Sequence, residues 1–163
     1  MLVIQSRADC SDRFEAELVL AYDLRQKCRL RTQSTQGEEV GLFLPRGEVL
    51  RNGDVLQAQD GRRVRVTAKP EKVLQIECAD PLQLTRIAYH LGNRHVALQV
   101  GDGWLRIADD YVLRQMAQGL GGTVSELEAP FEPESGAYGG HMHAAEPPAH
   151  RGIIHQFSSG DPS

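Results

Sequence analysis

Apolar residues in the first part of the chain come in short runs or alternate with polar ones, and only later does a helical spacing appear. Segments 17–20, 41–44 and 63–67 predict β-strands. Asn52-Gly53 and Asp60-Gly61 are turn dipeptides, and the second can join two strands as a tight hairpin. No helical period shows before residue 80. Residues 1–70 are therefore expected to form a small all-β barrel or sandwich. Residues 68–72, Ala-Lys-Pro-Glu-Lys, break the β-prone runs and read as a linker.

Beyond it the pattern changes. A strand is expected over 72–78, then a helix over 81–91. Asp80 can accept from the first free N–H groups, and Pro81 at the first helical position loses no bond. Leu84, Ile87, Ala88 and Leu91 form one apolar face. Gly92 can take the left-handed conformation that closes the helix. Asn93-Arg94-His95 then turns into a strand over 95–100, so His95 is expected where a helix has ended and a strand begins. A strand over 104–107, a helix over 110–120 capped by Asp109 or Asp110, and a strand over 123–128 complete the order βαββαβ. Val112, Leu113, Met116 and Leu120 should line one side of the second helix, and Gly121-Gly122 should stop it. That order is ferredoxin-like, two helices on one antiparallel sheet, here within residues 71–136. The fold class expected is α+β, a β-rich domain followed by a ferredoxin-like one.

Composition shifts at Pro130. Five of the eight prolines lie at or after it, and apolar spacing is lost apart from Ile153-Ile154. Residues 137–163 are expected to be a flexible tail that cannot offset its ordering entropy. Four of the six histidines, His141, His143, His150 and His155, fall there. His141-Met142-His143 could chelate one ion, although two close histidines also occur by chance in such tails.

The 40% hydrophobic fraction can build a core, and no apolar run nears the ~20 residues that cross a bilayer. With no signal-peptide pattern at the start, a cytoplasmic location is expected and no membrane partner. Cys10, Cys28 and Cys78 make no CxxC and are expected to be reduced thiols, with Cys78 the nearest to a metal role. Formal net charge is -4, but residues 1–70 carry 12 Lys/Arg against 10 Asp/Glu and residues 71–163 carry 6 against 12. The acidic second part argues against a nucleic-acid partner and suits collecting cations. Arg25, Lys27, Arg29 and Arg31 alternate with smaller groups. In a strand they would share one face, either a solvated one or a docking surface for an acidic partner. P-loop, GxSxG and HExxH motifs are missing, and Gly119-Leu120-Gly121-Gly122 sits at a helix end, so no enzyme is expected.

The segments His90-Leu91-Gly92-Asn93-Arg94-His95 and 130–138, Pro-Phe-Glu-Pro-Glu-Ser-Gly-Ala-Tyr, resemble the urease accessory metallochaperones of the UreE type over residues 1 to about 140. The resemblance implies that His95 is a nickel ligand at a homodimer interface. His141, His143, His150 and His155 would be further donors, and the β-rich domain a partner- or peptide-binding module. It also implies a GTPase partner of the UreG type within the urease apoprotein–accessory complex. Many members carry serine where Cys28 stands, and some carry histidines where Asp109-Asp110 stands; those aspartates are read as caps. His90 is read as a structural residue at a helix end. Ni(II) favours imidazole, needs four to six donors, and competes with Zn(II) and the tighter Cu(II). Because imidazole must be neutral to ligate, binding should weaken as pH falls through ~6.5. The rival readings are an RNA- or acidic-peptide-binding module without metal, and a nickel or zinc store that delivers nothing.

Overall fold

The short β-prone runs of the first part become six strands in the computed structural model, which describes residues 1–8 and 13–136. They are β1 (Leu2–Arg7), β2 (Ala16–Leu20), β3 (Arg29–Gln33), β4 (Glu39–Phe43), β5 (Val55–Ala58) and β6 (Arg63–Ala68). Their order in the sheet is β2-β6-β5-β1-β4-β3, with β1–β4 and β2–β6 parallel and the other pairs antiparallel. Past the end of β3, Thr35 N donates to Glu17 O of β2 at 2.9 Å, so the sheet nearly closes into a barrel. Inward residues such as Ile4, Leu18, Val40, Leu42, Leu56 and Val66 are fully buried and form its core. The Asp60-Gly61 turn joins β5 to β6, with Gly61 at φ +92°. Across the parallel β2–β6 pair, Thr67 Oγ1 donates to Glu17 Oε1 at 2.6 Å and Arg65 at 2.8 Å, holding that carboxyl below the usual range.

Two expectations fail in this region. The chain is not β throughout, because Tyr22–Arg25 makes a single helical turn, α1. The alternating cations therefore do not share one strand face: β3 starts only at Arg29, and Arg25 is 0% exposed. The reason is long-range. Arg25 Nε and Nη1 donate to the Leu20 and Leu50 carbonyls at 3.2 Å each, and its guanidinium also bonds the Phe131 carbonyl and the Glu132 carboxylate. No linker separates the two sheets either. β6 ends at Ala68 and β7 (Pro70–Glu77) begins after Lys69 alone.

The second sheet comprises β7, β8 (Gln99–Gly101), β9 (Trp104–Ala108) and β10 (Thr123–Pro130), all antiparallel in the order β10-β7-β9-β8. With α2 (Pro81–Gly92) after β7 and α3 (Tyr111–Gly119) after β9, this is the ferredoxin-like arrangement. Asp80 accepts from Leu82 N and Asp110 from Leu113 N, at 2.9 Å each, capping the two helices. Ile87 and Leu91 of α2 and Ala117 of α3 close on Leu74, Ile76, Leu105 and Ile107 of the sheet. Val112, expected on the apolar side of α3, is exposed.

The change in composition at Pro130 does not mark the end of ordered chain. Residues 131–135 form a strap between barrel and second sheet. Phe131 is buried against Val73 and Ala129 and meets Tyr22 of α1 edge to face at 5.4 Å. From the barrel, Arg51 donates to Pro133 O at 2.5 Å and Ser135 Oγ at 2.7 Å. From the other side, Glu134 N donates to Leu98 O at 2.8 Å and Glu132 N to Gln99 Oε1 at 3.0 Å.

Candidate metal centre

His95 lies at the exit of α2, but not at the start of a strand. The ladder of β8 begins only at Gln99. Gly92 is helical and does not supply the left-handed residue that ends the turn. His95 itself does, at φ +55°, the one non-glycine residue with positive φ among the described residues. The helix winds on through Asn93 N to Tyr89 O (3.0 Å), Arg94 N to Leu91 O (3.1 Å) and His95 N to Gly92 O (2.9 Å). A β-carbon in that region costs about 1–2 kcal/mol, and such outliers concentrate at functional positions. The imidazole is exposed and stands on a corner anchored by a packed helix.

One exposed imidazole supplies one strong donor. Among the described residues no group of three or more His, Cys, Asp or Glu converges on a common point. His90 is exposed one turn back, its ring edge-on to Tyr89 at 5.5 Å. Cys78 is at the other end of the sheet. The register puts Gly101, Trp104 and Glu77 in one row at that end, while His95 lies beyond Gln99 at the opposite end. The Cys78 thiol donates instead to Gly121 O at 3.8 Å. Asp109 and Asp110 are engaged elsewhere: Asp110 caps α3, and Asp109 pairs with Arg114 at 3.2 Å. Glu126 and then Asp109 hold the Arg114 guanidinium above its ordinary range. Cys10, His141, His143, His150 and His155 fall outside the described residues.

Two large apolar side chains of this domain stand exposed. Tyr89 is 66% exposed and Val100, on the edge strand β8, is 53% exposed. On the barrel, the exposed Phe43 and Met1 line an open trough of about 520 Å³ beside Arg29 and Arg31 of the edge strand β3. Arg31 pairs with Glu39 at 2.9 Å; Arg29 carries no ion pair among the described residues.

Comparison with known proteins decides the family. The model of the N-terminal domain of the UreE urease accessory protein matches residues 6–69, and that of its C-terminal domain matches residues 71–158. The chain belongs to the UreE urease accessory protein family. Urease accessory protein UreE 2 of Pseudomonas syringae pv. syringae (strain B728a) is 59% identical over 144 residues, 88% of this chain and 87% of the relative. Urease accessory protein UreE of Azotobacter vinelandii (strain DJ / ATCC BAA-1303) is 54% identical over 162 residues, 96% of this chain and 98% of the relative. The C-terminal UreE match spans His95 together with His141, His143, His150 and His155. Sequence reasoning missed Arg25, Arg51 and Glu132, which fasten the strap beside the His95 loop. The Pro-Phe-Glu-Pro segment carried the signal, but nothing local said what it would touch. No described helix is long and apolar enough to cross a membrane.

Proposed function

We propose that the chain is a cytoplasmic nickel metallochaperone that binds Ni(II) as a homodimer and delivers it for urease active-site assembly. The observation that carries this reading is the exposed His95 held at a left-handed helix exit, in a chain of the UreE family. In the proposed dimer, His95 of each subunit faces a twofold axis, so one rigid donor becomes two. The exposed Tyr89, in the last turn of α2, is suited to cover part of that contact. His141, His143, His150 and His155 supply the remaining donors that Ni(II) needs. A site made partly by the fold and partly by the last residues of the chain permits both capture and release. Residues 71–136 are assigned metal binding and dimerisation, 137–163 the additional donors, and 1–70 partner docking. The receiving partners are a UreG-type GTPase and the urease apoprotein–accessory complex.

Calorimetric titration with Ni(II) tests the assignment. His95→Ala should remove the tightest phase, and equilibrium sedimentation of the wild type with nickel should show a dimer. A tight phase that survives, or a nickel-loaded monomer, rejects it. Transfer of bound nickel to apo-urease complexes separates delivery from storage.

A second reading is favoured for the barrel alone. Phe43, Met1 and Arg29, which has no ion pair among the described residues, on the edge strand β3 suit an extended acidic peptide with apolar side chains. It complements metal delivery rather than replacing it.

A further inference from the structure

Val96, Ala97 and Leu98 separate His95 from the ladder of β8; no ladder bond holds them, although Val96 and Leu98 pack, partly buried, on the core of the sheet. Among the described residues, the one backbone bond reaching this stretch from elsewhere comes from the strap, Glu134 N to Leu98 O at 2.8 Å. The next residue is tied in the same way, Gln99 Oε1 accepting from Glu132 N at 3.0 Å.

The strap is in turn held by the barrel. Arg51 grips the Pro133 carbonyl and the Ser135 hydroxyl, and Asn52 N donates to Glu132 Oε2 at 3.4 Å. Beneath them the wholly buried Arg25 bonds the Phe131 carbonyl and the Glu132 carboxylate. Arg25 contributes charge-assisted bonds to four acceptors on three segments, an arrangement that fixes geometry as well as neutralising charge. A continuous series of bonds thus runs from the barrel, through residues 131–135, to the loop that begins at His95.

We propose that Arg25, Arg51 and Glu132 are positioning residues for His95, fixing the 95–99 loop before a metal arrives. This rests on His95 being a ligand, as argued above. A donor on a loop already ordered loses less conformational entropy when it ligates. Releasing about one loop residue corresponds to a loss of affinity on the order of tenfold.

The experiment uses the full chain carrying Arg51→Ala, since loss of the buried Arg25 would deprive the Glu132 carboxylate of its cation and endanger folding. Gln99→Ala removes, from the opposite side, one of the two bonds that join the strap to the loop. In metal-free protein, amide hydrogen exchange at 95–99 should speed up in both variants, while α2 and the β7–β10 ladder stay as protected as in the wild type. In Ni(II) titration both should weaken the His95-dependent phase by roughly tenfold. The double variant should do less than the sum of the two, because both loosen the same attachment of loop to barrel. A merely stabilising role would instead lower protection everywhere. Unchanged exchange at 95–99 in both variants, or unchanged nickel affinity where His95→Ala abolishes it, overturns the proposal. If His95→Ala leaves nickel binding intact, the metal reading fails, whereas exchange in the metal-free variants still judges the strap.

Discussion

The second sheet is built from two β-α-β halves that begin alike and finish differently. Both α2 and α3 start at an aspartate cap and bury one face on the same core. At its exit α3 turns within residues 120–122, through Gly121 at φ +87°, into β10, whose eight residues all pair with β7. α2 overruns its glycine, turns on His95, and reaches a strand of only three residues after 93–98. The second half is what the ladder alone would make. The first gives up ladder length and accepts a strained residue, and what it presents in return is an exposed imidazole. Backbone regularity lost on one side of an internal repeat is thus a pointer to where function lies.

The largest expected effect tests the regular half. A Cβ on Gly122 would lie 3.0 Å from Ala117 O, Ile76 Cγ2 and Ile87 Cδ1. Gly122→Ala should therefore destabilise by about 1–3 kcal/mol in urea unfolding, with the m-value unchanged. A loss under about 0.5 kcal/mol, the usual surface range, would mean the α3 exit is loosely packed and the contrast between halves is false.

How much of this was legible follows from the range of the interactions. The helix caps at Asp80 and Asp110, the stop at Gly121 and the βαββαβ order depend on neighbours within a few residues, and they could be read directly. Three of the barrel's strands, expected over 17–20, 41–44 and 63–67, were legible for the same reason. Arg25 was not. Its alternation with Lys27, Arg29 and Arg31 imitates a strand, while its acceptors include Leu50, Phe131 and Glu132, far along the chain. The strand expected over 95–100 shrank because Leu98 spends its carbonyl on Glu134 rather than on a sheet neighbour. The place of His95 in the chain could be seen, but not its dihedral or what steadies it.

A smaller effect sharpens the other half. At φ +55° His95 pays for its β-carbon, so His95→Gly should raise stability by about 1 kcal/mol while removing the imidazole. Thermal unfolding and Ni(II) titration on the same variant should move in opposite directions, with melting temperature up and the tight phase gone. His95→Ala keeps the strain and should lose nickel without the gain in stability. If glycine and alanine give equal melting temperatures, the left-handed turn is not where the first half stores its strain.

The smallest effect falls on Gly92, the residue whose type most strongly invites the role that His95 takes. It is helical, exposed, and a Cβ there meets nothing within 4 Å. Gly92→Ala should therefore stabilise by about 0.5–1 kcal/mol, the ordinary helix preference for alanine. It should leave Ni(II) affinity unchanged, since the corner lies three residues on. Had the helix ended at a left-handed Gly92, the same substitution would cost about 1 kcal/mol and rotate the loop that follows. The sign of one small change in urea midpoint thus reports which residue turns the chain, and with it whether the imidazole stands on the corner or merely follows it.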